Sequence, residues 1–186
     1  MSEPKRVLVP LAEGFEEIEA VAIVDVLRRA EVEVVVAGLT PGAVTGAHGI
    51  RMDADAELAD VDVESFDMLV LPGGMPGTTH LMEDERVLDA VRRLSAQGKT
   101  TAALCAAPMV LARAGVVSGV PVTSHPSVRG KLADADVRAE PRVIRSGSVV
   151  TSQGPGTAIE FALELVRELA GEASAERLAA AMLVRA

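Results

Sequence analysis

Cys105, Glu19 and His125 are the side chains of this sequence that could together perform covalent chemistry. Cys105 is the only cysteine in 186 residues. It follows the apolar run Thr100 to Leu104 (TTAAL), which comes after the helix-stop pair Gln97-Gly98 and reads as a strand buried on both faces. Pro108 stands where a first helical turn tolerates it, and Met109, Val110, Leu111, Ala112 and Ala114 continue in helical style to Gly115. Cys105 is thereby expected at a strand-to-helix turn, beneath helix N-terminal amides that favour a thiolate and should lower its pKa. A lone cysteine is equally explained as a small buried hydrophobe, so this stretch alone leaves both readings standing.

Glu19 lies in the helical stretch Phe15 to Ala30 (FEEIEAVAIVDVLRRA). At 3.6 residues per turn it shares a face with Ala22, Ile23, Val26 and Ala30, where a carboxylate is costly unless paired or neutralised. The plain alternative is a Glu that curls out at the helix start, as Glu16 and Glu17, ordinary first-turn acids, are expected to do. His125 sits in Ser124-His125-Pro126 after the strand-like VPVT. Cysteine plus histidine at strand ends is the minimum for thiol nucleophile chemistry, although a loop histidine also serves as a surface hydrogen-bonder. Pro72-Gly73-Gly74 ends the apolar run DMLVL and could present bare N–H groups to an oxyanion, or be a simple tight turn. The sequence carries no GxGxxG, P-loop, CxxC or HxxxH pattern, so no dinucleotide, phosphate or metal site is expected.

The elements that must position these groups alternate. Lys5 to Leu11 is a strand, Phe15 to Ala30 a helix and Glu31 to Gly38 a strand, which together make a right-handed βαβ unit. Thr40 to Asp62 has turn residues every few positions and reads as a small hairpin or irregular excursion. Asp67 to Leu71 is a buried strand, and Glu83 to Gln97 an amphipathic helix with Val87, Leu88, Val91 and Leu94 at helical spacing. From Val116 to Ser152 the signals are short and strand-like, with a hairpin turn at Ser146-Gly147. Thr157 and Glu160 form a capping box for a helix to about Ala170, and Ala175 to Val184 is a last helix after a Ser174 cap. Such alternation predicts an α/β fold with a largely parallel sheet and helices on both faces, and the strand ends place the candidate groups where such sheets bind ligands.

Composition narrows the function classes. The length fits one domain, 1–186, without linker or repeat. The net charge of −9 and the lack of any Lys/Arg block argue against nucleic-acid binding. The chain shows neither a signal peptide nor an apolar run of membrane-spanning length, and one cysteine suits a reducing compartment, so a soluble cytoplasmic protein is expected. Ile18, Val21, Val24 and Leu27 leave the first helix apolar around most of its circumference, which predicts a second subunit as its cover.

Taken together, KRVLVPLAEGFEEIEAVAIVDVLRRA, DMLVLPGG, ALCAAP, SHP and TSQGPGTAIEFALELV resemble the ThiJ/PfpI superfamily almost end to end. The nearest branch is that of the parkinsonism-associated protein deglycase and the bacterial YajL. The resemblance implies a flavodoxin-like three-layer sandwich, with Cys105 as nucleophile, Glu19 as the carboxyl group bonded to the thiol and His125 as the nearby histidine. It also implies backbone amides of Gly73, Gly74 and Ala106 facing the substrate oxygen, a homodimer built partly through the first helix, and no cofactor. Ala106 stands where the protease-like PfpI branch carries a histidine, so that branch's Cys–His pairing is absent. Ala107 and Gln153 are YajL-like, while His48 falls near an arginine of the human protein's interface anion pocket and leaves that pocket in question. The activity implied is conversion of reactive dicarbonyls such as methylglyoxal or glyoxal to 2-hydroxy acids, with glycated adducts as an extension. A redox-responsive chaperone or cysteine-oxidation sensor is one rival reading, and an amidase or peptidase the other.

Overall fold

Seven strands form the central sheet of this computed structural model, which describes residues 4–132 and 134–184. β1 (Arg6–Leu11) lies inside, between β2 (Glu33–Gly38) and β6 (Met68–Leu71); β7 (Thr100–Leu104) and β11 (Val149–Ser152) extend one side, and β5 (Ala56–Glu57) the other. All pairings are parallel except the outermost, β10 (Val143–Ser146) against β11. The β10–β11 connection is the expected hairpin, its two-residue turn formed by Gly147 and Ser148.

Alternation along the strands divides the core in two. Val7, Val9 and Leu11 of β1 point to one face, where α1 (Glu17–Arg29), α5 (Ala158–Ala170) and α6 (Glu172–Ala181) pack. Leu8 of β1, with Leu69 and Leu71 of β6, points to the other, covered by α2 (Gly77–Glu83), α3 (Glu85–Ala96) and α4 (Pro108–Ala114). The result is the three-layer α/β sandwich with a largely parallel sheet that the alternating elements imply. With few aromatics, these layers are filled by Val, Leu, Ala and Ile, and Phe161 on α5 is the largest fully buried side chain.

Several local expectations are corrected. The helix expected over Glu83 to Gln97 is α3 and starts at Glu85, because Asp84 caps it by accepting the Arg86 N–H at 2.9 Å, while Glu83 closes the separate helix α2, which was not expected. The Thr157–Glu160 capping box is absent: the Thr157 hydroxyl turns back to Gly154 O and Ser152 instead. The last helix begins at Glu172 behind Gly171, ahead of the expected Ser174 cap. The excursion after residue 40 does contain a hairpin, β3 (Ala43–Thr45) with β4 (Arg51–Asp53), and it also supplies β5, too short to show a periodicity. Finally, the first helix is not uncovered all round. Val24 and Leu27 are buried in their own chain, α1 packing on α5, while Ile18 and Val21 are 61% and 51% exposed.

Because Phe161 has no accessible surface, truncation leaves a cavity between α5 and the sheet. Phe161→Ala should cost about 3–5 kcal/mol of unfolding free energy by urea titration, whereas a loss below 1 kcal/mol would show that this layer collapses to fill the space.

Candidate active site

The chain leaves β7 at Leu104 and turns at once, so that Cys105 has φ = 62°, a left-handed conformation worth about 1–3 kcal/mol of strain in a non-glycine residue. Both of its peptide groups are tied down. The Cys105 N–H donates to Ser152 O on β11 at 3.0 Å, and Cys105 O accepts the His125 N–H at 2.8 Å. The sulfur-bearing residue is thus fixed from two neighbouring segments before its side chain makes any contact.

Glu19 comes to it from the first helix. Its side chain is completely buried, Oε2 accepts the Gly73 N–H at 2.7 Å, and the carboxyl group lies against the Cys105 thiol. Oε1 has no hydrogen-bond partner among the described residues. Gly73 is required by this approach: a Cβ there would lie 2.7 Å from the Cys105 Cβ and 2.8 Å from Glu19 Oε2. Burial pushes the Glu19 carboxyl up to about 7; the Gly73 N–H and the thiol oppose this, and the charge of Glu16 adds to it.

Two expectations fail at this point. The Cys105 thiol is not lowered but pushed up to about 12, first by burial and then by the charge of ionised Glu19, against the smaller pull of the Ala106 and Gly74 amides. Helix amides do not rescue it. α4 starts only at Pro108, and the amides of Ala107, Met109 and Val110 are spent on Leu104 O, Ala106 O and Ala107 O. Gly73, expected to face a substrate oxygen, gives its N–H to Glu19; the Gly74 and Ala106 amides are the ones turned toward the sulfur. Both pKa shifts have the same sense because burial is the largest cause of each, and for the thiol the charge of Glu19 adds to it. The Glu19 carboxyl and the Cys105 thiol are thus two acids in contact, and of the two the carboxyl is the one that loses its proton first.

His125 enters from the loop after β8 (Pro121–Val122) and caps the short turn Pro126–Lys131. Its exposed ring lines the same cleft as Gly74, Met75, Cys105, Ala106, Ser127 and Val128, a space of about 200 Å³. Cys105, Glu19, His125, Gly74 and Ala106 are thus brought together, with Gly73 behind them as support.

Glu16 and Glu17 are the residues whose importance the helical pattern hides. Neither curls out: they are 8% and 4% exposed. Glu16 Oε2 caps α1 by accepting the Glu19 N–H at 2.7 Å. Glu17 Oε1 accepts the His48 N–H at 2.6 Å, and its Oε2 meets His48 Nδ1 at 2.8 Å. Burial works against ionised Glu17, but these bonds outweigh it and hold the carboxyl below its usual range, while Glu17 raises the pKa of His48. Gly46 admits the Glu17 carboxyl where any side chain would collide with it. Glu16, Glu17 and His48 place ligand atoms within 4.8 Å of one another, the one potential metal-holding group among the described residues, and the Glu17–His48 bonds account for much of that closeness. His80, the remaining histidine, meets Glu13 O through Nδ1 at 2.9 Å.

A strained cysteine at the end of a parallel strand, backed by a buried carboxyl group, defines an α/β protein built around a carboxyl–thiol pair. The DJ-1/PfpI family model matches residues 5–168, and the chain belongs to that family. It is 43% identical over 182 residues to protein dj-1beta of Drosophila melanogaster, covering 97% of both chains. It is 37% identical over 173 residues to the glutathione-independent glyoxalase DJR-1.2 of Caenorhabditis elegans, covering 92% of both. Among solved structures, Drosophila melanogaster DJ-1beta superposes with a TM-score of 0.96 at 42% identity over 99% of this chain and 100% of that one. Oxidized Toxoplasma gondii DJ-1 does so with 0.91 at 40% over 96% and 98%.

The raised Glu19 pKa has a sign in stability. The native state holds this proton more tightly than the unfolded chain, so the carboxyl's contribution is fully present below its ordinary 4.5 and is lost as pH rises through about 7. That amounts to roughly 3 kcal/mol. Glu19→Gln, which does not titrate, should therefore gain on wild type by a few kcal/mol between pH 4 and pH 8 in denaturant titrations. A pH-independent difference between the two would mean that Glu19 titrates as an exposed acid.

Proposed function

We propose that this protein is a glutathione-independent glyoxalase, converting 2-oxoaldehydes such as methylglyoxal and glyoxal to 2-hydroxy acids, with the whole chain acting as one domain. The observation that carries this reading is the contact of a buried, proton-exchanging carboxyl with the thiol, at a cleft sized for a molecule of a few carbons. The glyoxalase among the relatives supports it.

Glu19 carboxylate takes the Sγ proton as the sulfur adds to the aldehyde carbon of methylglyoxal, forming a C–S bond and an alkoxide. The Gly74 and Ala106 amides, which favour the thiolate, then hold that oxygen until Glu19 returns the proton to it. The freed carboxylate removes the remaining hydrogen of the former aldehyde carbon as a proton, giving an enediolate, and delivers it to the neighbouring carbon while the hydroxyl proton passes to the former ketone oxygen. The aldehyde carbon is thereby oxidised to a thioester and the ketone carbon reduced to an alcohol, an internal exchange that needs no external electron carrier. Water cleaves the thioester, releasing lactate and the thiol. Glycated amines are reached by extension, as carbinolamines of the same aldehyde.

A second reading, oxidation sensing, rests on Cys105 being partly exposed and the only thiol, so that a sulfenic acid formed there finds no second cysteine in the chain. One assay separates the two. Purified protein with methylglyoxal and no glutathione should yield lactate, and Cys105→Ala should yield none while remaining folded. Lactate from Cys105→Ala would end the nucleophile assignment. If wild type makes none, yet peroxide converts Cys105 to a sulfinate by intact mass, the sensing reading replaces it.

Assembly belongs to the same proposal. Ile18, Val21 and Ile50 are large apolar side chains more than half exposed, and we assign them to the interface of a cytoplasmic homodimer. Sedimentation should give wild type as a dimer and Val21→Arg as a folded monomer; wild-type monomer at micromolar concentration would overturn the assignment.

A further inference from the structure

We propose that Ser127 is a positioning residue that fixes His125 in the tautomer protonated at Nε2, so that His125 meets the substrate as a hydrogen-bond donor and Glu19 alone acts as the carbon base. This inference rests on the glyoxalase reading for its consequence, but not for the tautomer itself.

His125 Nδ1 has two neighbours, both from Ser127. The Ser127 backbone N–H donates to it at 3.3 Å, and the Ser127 Oγ lies 2.7 Å away. The backbone bond has only one direction. A peptide N–H cannot accept, so Nδ1 must offer its lone pair, and the hydroxyl, free to rotate, adds its own hydrogen. A neutral imidazole with an unprotonated Nδ1 carries its proton on Nε2. Nε2 makes no hydrogen bond to the described residues, so its N–H remains available.

The ring's placement suits this role. The His125 N–H is held on Cys105 O at 2.8 Å, which sets the two residues side by side. The Cδ2 edge runs past Gly154, where an added Cβ would stand 3.6 Å from it. His125 and Ser127 both line the cleft that contains Cys105. A neutral Nε2–H donor stabilises negative charge on the second oxygen of a 2-oxoaldehyde as the enediolate forms, without removing a proton from carbon. The carbon-bound proton then falls to Glu19, the carboxyl group in contact with the thiol, whose pKa is pushed up to about 7.

Nitrogen-15 NMR of the histidine rings tests the tautomer in the resting protein, at a pH where the imidazole is neutral. Wild type should show an unprotonated Nδ1 and a protonated Nε2 at His125. Ser127→Ala keeps the backbone N–H, at 3.3 Å the longer and weaker of the two bonds, and loses the hydroxyl bond of 2.7 Å that supplies most of the hold; it should show a mixture of tautomers and a kcat lower by about five- to tenfold with little change in KM. Ser127→Thr should restore both. A protonated Nδ1 in wild type, or Ser127→Ala matching wild type in spectrum and kcat, would overturn the proposal. Wild type that forms no lactate would remove the glyoxalase reading, while the ring spectrum would still decide the tautomer.

Discussion

The contact between the Glu19 carboxyl and the Cys105 thiol is the constraint on which the rest depends. A carboxyl group without access to water survives only where its charge is matched or its proton kept, and here one oxygen rests on the Gly73 N–H while the other has no hydrogen-bond partner among the described residues. That arrangement requires a glycine at the end of β6, a left-handed residue at the end of β7 and a helix whose first turn is pinned. Three segments distant in sequence therefore meet at one point. The parallel sheet makes this possible, because its strands all deliver their carboxyl ends to the same edge.

The shift of both acids upward changes how the thiol's reactivity is understood. Reactivity does not require a resting thiolate. On the proposed mechanism it requires that the proton have somewhere to go as the sulfur attacks, and a carboxyl group with its pKa near 7 would supply that place. Burial, which penalises charge, is what brings the Glu19 pKa to about 7, the range such a role needs.

Much of this was legible in the sequence. The buried strands announce themselves as continuous apolar runs, the Cys105 turn as a strand meeting Ala-Ala-Pro, and Glu19 as a carboxylate on an apolar face. What escaped depends on contacts between distant residues. Gly73 looks like an oxyanion donor until Glu19, 54 positions away, is seen to take its N–H. Glu17 looks like a solvated first-turn acid because its burial is made by a loop 31 residues on. The lowered thiol pKa failed because a sequence shows where helix amides begin but not whether they are already spent. Ser127 carried no signal, since a serine after His-Pro is an ordinary turn residue.

The first turn of α1 has a further consequence, for how such a chain can change over time. Ile18 faces outward and Glu19 inward, so neighbouring positions answer to different demands, surface contact for one and chemistry for the other. A residue step along a helix turns a side chain through about 100°. Inserting or deleting a single residue between Glu16 and Ala20 would therefore swing the carboxyl away from the sulfur and bring an apolar side chain in its place. Substitution on the outer face is open to drift, but the length of this turn is not, and lineages that keep the chemistry must inherit the spacing unchanged.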